Sequence, residues 1–364
     1  MMKRLLFVFV ATALLAGCQA PKQPVAPRVV NALADLPVLV DSCGIPVMQY
    51  YYFSPEGDLH EVVCAKDTSF DIAQPIDEQS IFQAASLSKP LFAYIVMRMV
   101  DRGEIDLDTP VAEYTDIDRF DDPEMARRIT PRIVLSHQTG LPNWAVSPSS
   151  DEWPTSRITF KYPVDSCFAY SGEGYAFLQR AVEAIQGKPL DEIARREVFD
   201  RFDMPTTSYD WQPAYDTLAL VGFNRDGENR GQGRHPRANC AYTLRTNATE
   251  YAHFVRRGLL LGEGLSAKSH QEMFAHQVHA QRYADEPRAC DSSVFWCLGF
   301  GAVNDDYYWH WGDNGNFKAL WLLHPATGEG FVYFTDRATG HDLLAPFLKE
   351  LTGDDLPLND WIRN

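Results

Sequence analysis

Ser86 and Lys89 stand three residues apart in the stretch Ala85-Ser86-Leu87-Ser88-Lys89-Pro90. Residues at that spacing share one face of a helix, so a helix beginning here points a hydroxyl and an amine into one small volume. The run Leu91-Phe92-Ala93-Tyr94-Ile95-Val96-Met97 is apolar on every side, the pattern of a helix in a domain interior. A lysine in the first turn of such a helix meets both desolvation and the positive end of the macrodipole, and each lowers its pKa. Moving it from ~10.4 to about 7 takes roughly 4–5 kcal/mol of differential interaction. A neutral lysine there takes the proton of the neighbouring hydroxyl, and the serine becomes a nucleophile. Taken alone, the tetrapeptide fits an ordinary helix start, with Ser86 as N-cap, equally well.

The elements that must position this pair come from a chain that is helical in the middle and β-rich at both ends. Residues 47–53 and 59–65 read as a hairpin around the turn Pro55-Glu56-Gly57-Asp58. Residues 81–84 approach the Ser86 helix, which ends near Gly103, a residue suited to a left-handed C-cap. Thr130 and Pro131 are the N-cap and first residue of another helix running toward His137, a histidine read as a structural hydrogen-bonder. Residues 145–165 form a loop, and helices are predicted over 174–185, 190–199, 250–261 and 268–282. The irregular segment 205–245 is long enough to suggest that it lines a site. Strands are predicted at 298–301, 307–311, 319–324 and 330–335, with a closing helix at 343–351. Without βα alternation the fold class is α+β: an antiparallel sheet flanked by helices. The α/β part takes residues of about 38–88 and 290–364, and the mostly helical part about 89–289.

The 364-residue chain, 45% hydrophobic and 23% charged, has an ordinary globular composition. Its formal charge of −16 argues against a nucleic-acid partner or a basic membrane-surface patch. A basic start at residues 1–4 and an apolar run at 5–15, too short to span a bilayer, precede Leu15-Ala16-Gly17-Cys18. This resembles the bacterial lipoprotein cleavage signal: residues 1–17 are removed and Cys18 is lipidated. Residues 18–37, with Pro21, Pro24 and Pro27, read as an extended tether. Gln19, rather than aspartate, after Cys18 leans toward the outer membrane, with the protein on the periplasmic side. In that oxidising setting the other six of the seven cysteines have fifteen possible connectivities. Proximity suggests Cys290–Cys297 and a hairpin suggests Cys43–Cys64, which leaves Cys167–Cys240. No metal and no cofactor are expected. His270, His276 and His279 have no ligand spacing, and His60-Glu61 lacks the second histidine of H-E-x-x-H.

Three stretches, Ser86-Leu87-Ser88-Lys89, Tyr170-Ser171-Gly172 and His310-Trp311-Gly312, resemble in order and spacing the penicillin-recognising serine hydrolases. That family includes class C β-lactamases, D-alanyl-D-alanine carboxypeptidases, amidases and related esterases. The segment Leu135-Ser136-His137-Gln138-Thr139-Gly140-Leu141-Pro142 is similar to its "LLSHTSGLP", and the likeness covers roughly residues 45–350. The resemblance implies the serine β-lactamase/DD-peptidase fold and an acyl-enzyme on Ser86. Lys89 would be the base or an electrostatic partner, and Tyr170 a proton relay. His310, where many relatives have the lysine of K-T-G, would lie on a strand edge facing Ser86 and orient a substrate carboxylate or bond Tyr170. Gly312 would admit the substrate closely, and the N–H groups of Ser86 and Asp313 would form the oxyanion hole. Two departures bear on substrate: Y-x-N has become Tyr-Ser-Gly, losing an amide at Gly172, and K-T-G has become His-Trp-Gly, with a bulky Trp311. They favour a peptidase, amidase or esterase acting on a small-molecule or peptide substrate, such as a D-amino-acid peptide or small ester. A class C β-lactamase and a non-hydrolytic penicillin-binding sensor are the alternatives.

Overall fold

The computed structural model describes residues 24–66, 69–281 and 292–363. Its frame is an antiparallel sheet of eight strands drawn from the two ends of the chain. In chain order the strands are β1 (Val47–Phe53), β2 (Asp58–Cys64), the short β3 (Phe82–Gln83) and β4 (Arg245–Thr246), β5 (Val278–His279), β6 (Val294–Trp296), β7 (Gly301–Val303), β8 (Tyr307–Asp313), β9 (Lys318–His324) and β10 (Glu329–Thr335). The large sheet runs β2-β1-β10-β9-β8-β7-β6-β5, while β3 and β4 pair separately. Joining β1 to β10, with Met48 opposite Thr335 and Phe53 opposite Gly330, ties the chain's ends together. The hairpin and the last three strands fall where composition and turn residues put them.

Each face of the sheet has its own cover. On one side the core includes the helix α2 (Ser88–Asp101), whose residues 88–97 are all buried, together with the other central helices. On the other side lie Trp296, Trp309, Trp311 and Trp361, with two C-terminal helices, Leu344–Thr352 and Leu358–Arg363. Period-two alternation along β8 sends Trp309 and Trp311 to this second core, while Tyr308 faces the first.

Several expectations are corrected. The extended tether over 18–37 gives way at Pro27 to a helix, α1 (Pro27–Ser42), with Pro27 in its first turn. Val29, Ala32, Leu33, Leu36 and Val40 recur at helical spacing and are buried against the second core. That apolar stripe outweighs Pro37, which sits inside the helix and forfeits one backbone bond. The helix over 268–282 stops at Phe274, and Val278–His279 joins the sheet as its edge strand. Residues 298–301 are mainly the turn between β6 and β7 rather than a strand. Two of the expected disulfides are absent. Cys64 is exposed and registers opposite Val47, and both it and Cys43 are free thiols. Cys240 is buried with its Sγ donating to the Tyr175 carbonyl at 3.3 Å, and Cys167 lies beside Ser166. Cys297 is also free, 3.3 Å from the Phe274 carbonyl, and Cys290 lies outside the described residues.

Candidate active site

Ser86 sits in a tight turn, Ala85–Leu87, between β3 and α2. Ala85 takes a φ of +49°, a conformation costly for a residue with a Cβ, so the turn must be held from outside. The Ala84 N–H donates to the Leu244 carbonyl at 2.8 Å, and Tyr251 donates to the Leu87 carbonyl at 2.8 Å. Ser88, whose role the sequence left open, donates to the Ala85 carbonyl at 2.6 Å and accepts from the Leu244 N–H at 3.1 Å.

Lys89 is 1% exposed, and burial brings its pKa from 10.5 down to about 7. Its Nζ lies 3.3 Å from Ser86 Oγ and donates to the Ala241 carbonyl at 2.8 Å. The same nitrogen stands 4.7 Å from the centroid of the Tyr170 ring, facing its π surface. At neutral pH a substantial fraction of Lys89 therefore has a lone pair available to the serine proton.

Tyr170 reaches this point because His137 holds the chain before the next helix. At a φ of +58°, His137 accepts the Ala169 N–H at its carbonyl, 2.7 Å, and the Ser171 N–H at Nδ1, 3.0 Å. An accepting Nδ1 puts the proton of the neutral ring on Nε2. The His137 and Tyr170 ring centroids are 4.2 Å apart. Ser171 then caps the helix Gly172–Gln186 by accepting the Gly174 N–H.

A cavity of about 310 Å³ opens onto Ser86 and Lys89 and is lined also by Gln83, Asn143, Trp144, His235, Tyr242, Asp313 and Asn314. Of the residues singled out from the sequence, Ser86, Lys89 and Asp313 line it. Tyr170 stands behind Lys89, with its ring 4.9 Å from Trp311. His310 is fully buried rather than facing the cavity. Its Nδ1 lies 2.7 Å from the Trp311 carbonyl, and burial together with the Lys89 charge holds its pKa well below the usual histidine range. His310 is not among the residues that line the cavity. Gly312 packs on the nucleophile turn: a Cβ there would lie 2.4 Å from the Ala84 carbonyl oxygen. Because β7 pairs with β8 only as far as Trp309, the 310–313 edge beyond it has no strand partner on that side among the described residues.

Gly172 owes its identity to Trp144. A Cβ at 172 would come within 2.3 Å of the Trp144 ring, and the Gly172 N–H donates to Asn143 Oδ1 at 2.9 Å. Asn143 and Trp144 escaped the sequence reading, although both follow directly on the Leu135–Pro142 segment. So did Glu173, a fully buried carboxylate that accepts from Trp153 Nε1 at 2.8 Å and the Ala145 N–H at 3.0 Å and pairs with Arg119. A larger concavity of about 810 Å³ is lined by Glu173, Arg119, Trp153 and Arg237. It contains no nucleophile beside a base, so the smaller cavity is the candidate site.

The Beta-lactamase family profile matches residues 63–351, and a prokaryotic membrane lipoprotein lipid attachment site matches residues 2–19. The chain is 31% identical to penicillin-binding protein 4 of Amycolatopsis lactamdurans over 325 residues, 82% of this chain and 83% of that protein. Among solved structures, a class C beta-lactamase superposes with a TM-score of 0.73 at 14% identity, covering 90% of this chain and 96% of its own. A D-stereospecific amidohydrolase from Streptomyces sp. gives 0.69 at 14% identity, covering 88% and 99%. At these identities the two structures speak for the fold, the serine β-lactamase/DD-peptidase type anticipated from the sequence. The chain belongs to the Beta-lactamase family of serine hydrolases and carries a lipoprotein lipid attachment site at its N-terminus.

Proposed function

We propose that the protein hydrolyses an amide or ester through an acyl-enzyme on Ser86, on the periplasmic side of the outer membrane, anchored by lipid at Cys18. The observation that carries this reading is the 3.3 Å contact between Ser86 Oγ and a Lys89 whose pKa is brought to about 7. Ser86 Oγ bonds to the substrate carbonyl carbon while its proton passes to Lys89 Nζ. The carbonyl oxygen, now negative, faces the N–H groups of Ser86 and Asp313. Collapse breaks the C–O or C–N bond, and the leaving group departs with a proton. Water then attacks the acyl-enzyme, giving up its proton as Ser86 regains its own. Tyr170, in ring contact with Lys89, relays protons between lysine and leaving group. The deep position of His310 supports a role behind Tyr170 rather than on the substrate.

A small ester or a D-amino-acid-containing peptide suits the site better than a β-lactam, because the family's asparagine is replaced by Gly172 and Trp144 fills the space beside it. The relative named penicillin-binding protein 4 favours a second reading, penicillin acylation with slow release. Labelling of the purified protein by a fluorophosphonate and by a fluorescent penicillin separates these readings. Fluorophosphonate labelling that disappears in Ser86→Ala, with ester or peptide turnover, is the expected result. Persistent penicillin labelling supports the second reading, and turnover of a chromogenic cephalosporin a β-lactamase. No labelling by either reagent, with Ser86→Ala indistinguishable in every assay, overturns the hydrolase mechanism.

A further inference from the structure

The charges around the cavity narrow the substrate class, granted the serine-hydrolase reading above. Its lining has three titratable side chains besides tyrosine: Lys89, His235 and Asp313. Lys89 is committed to Ser86 and to the Ala241 carbonyl. Gln83 fixes the state of His235. Its Nε2 donates to the Gln232 carbonyl at 3.0 Å, which turns Oε1 toward Asn314 Nδ2 at 2.8 Å and His235 Nε2 at 3.3 Å. An amide oxygen only accepts, so His235 has its proton on Nε2 and leaves Nδ1 as an acceptor. Burial and the nearby Arg245 charge lower the His235 pKa to about 4, so the ring is neutral at physiological pH.

The neighbouring cations, Arg245, Arg237 and Lys318, stand outside the cavity lining. Arg245, 2% exposed, donates to the Gln232 and Gly233 carbonyls and lies over Trp211. Arg237 donates to the carbonyls of Pro148 and Ser150 at 3.0 and 3.2 Å. Lys318 is held by Asp313, whose side chain is 44% exposed where it borders the cavity. What the cavity offers is therefore carboxamides, an indole, a phenol and one carboxylate, and its lining has no lysine or arginine besides Lys89.

We propose that this site selects substrates without a carboxylate near the scissile bond, namely neutral esters or carboxamides, and that Asp313 enforces the choice. An anionic group entering the cavity loses water, finds only Lys89, already bonded to Ser86 and the Ala241 carbonyl, and meets Asp313, the negative and more exposed end of the Lys318–Asp313 pair. Where relatives would hold a carboxylate with a K-T-G lysine, this chain has put a neutral histidine behind the wall and tied its nearest lysine to an aspartate.

A matched pair of substrates tests this on the mature lipid-anchored protein in detergent: the acetyl esters of 3-hydroxybenzamide and of 3-hydroxybenzoate. Their leaving groups have similar basicity and differ in one charge. We expect kcat/KM to favour the amide-bearing ester by about 30-fold or more at low ionic strength, with the gap narrowing as salt is added. Asp313→Asn, which keeps the backbone N–H and releases Lys318, should shrink that ratio several-fold. Equal turnover of the two esters, or preference for the carboxylate, overturns the inference while leaving the hydrolase reading intact. So does a ratio unchanged in Asp313→Asn, which removes the aspartate from the argument. Turnover of neither ester, with Ser86 also unlabelled by fluorophosphonate, overturns the hydrolase reading and this inference together.

Discussion

Ser86 and Lys89 open into the cavity from a turn and a helix start where the Ser88 and Lys89 side chains bond backbone carbonyls, whereas Tyr170, His310 and Trp311 meet behind them in an aromatic cluster. The first region is polar, strained at Ala85 and exposed on one side. The second is enclosed, with ring centroids of His310 and Trp311 5.1 Å apart and Trp296 packed edge-on to both Tyr170 and Trp311. The difference separates two jobs that share one family motif set. Acyl transfer needs a few groups at fixed distance from one carbonyl, and Ser86 Oγ and Lys89 Nζ lie 3.3 Å apart. Recognition of a particular acyl or leaving group needs side chains that reach the substrate. In this chain the family's positions for that purpose are turned inward or filled, and Asn143, Trp144 and Asn314 line the cavity instead.

The largest effect that would break this division lies at Lys89. Lys89→Met should lower kcat/KM by about 10³-fold or more, since general-base catalysis is typically worth 10²–10⁴. In the parent protein activity should rise with pH through about 7, as the amine loses its proton, and the variant should lose that limb. Stability should also rise with pH, over a higher range. The unfolded lysine keeps its ordinary pKa near 10.5, so between about 7 and 10.5 the unfolded chain binds more protons and stability rises with pH. At pH 7 and below the folded state bears the cost, on the order of 4 kcal/mol before the lost bonds are subtracted. Lys89→Met should therefore melt higher at pH 6 than the parent, with the gap closing by pH 10. A variant that melts lower throughout would mean that the amine stabilises the turn rather than straining it.

A middle-sized effect tests the recognition half. Gly172→Asn restores the residue type that relatives place there, yet its Cβ meets the Trp144 ring at 2.3 Å. Overpacking of this kind costs typically 1–3 kcal/mol, so thermal denaturation should show a clear loss. Adding Trp144→Ala should recover much of it and raise the rate of penicillin labelling. If Gly172→Asn alone is as stable as the parent, Trp144 is not what keeps residue 172 a glycine.

The same contrast decides what could be read from the sequence. The Ser86–Lys89 contact follows from i, i+3 helical geometry, and the lysine's neutral state from a run of apolar neighbours; both are local facts. The strands at the two chain ends were legible from their β-branched and aromatic composition and the turns between them, although β1, β9 and β10 are buried on both faces and show no alternation. The α1 helix was hidden by its prolines, Pro27 and Pro37, although its stripe of Val29, Ala32, Leu36 and Val40 was present. Trp144 against Gly172 was out of reach, because nothing within a short window says that residues 28 apart will touch. The depth of His310 was out of reach for a related reason: its strand was legible, but only the neighbouring Trp296, Trp309 and Trp361 establish how deep that edge lies.

The smallest effect is expected at Asn143, and it separates substrate contact from scaffold. Its Oδ1 and its carbonyl both accept the Gly172 N–H, at 2.9 and 3.0 Å, and the carbonyl also takes the Glu173 N–H at 3.0 Å. Removing the side chain therefore leaves the helix start bonded, and Asn143→Ala should cost no more than about 1 kcal/mol of stability. With Oδ1 turned to Gly172, the side-chain NH₂ is the part of the residue left to face the cavity. If it donates to the substrate, Asn143→Ala should lower kcat/KM by about tenfold for acyl groups that carry a carbonyl acceptor. Acetyl esters, which have no carbonyl besides the scissile one, should lose far less. Asn143→Asp sharpens the comparison, since it keeps an acceptor for Gly172 and replaces the donor. It should match or exceed the alanine variant's loss on the longer acyl groups. Equal losses on short and long acyl groups would make Asn143 part of the scaffold, and recognition would then rest on Trp144 and the β8–β9 turn.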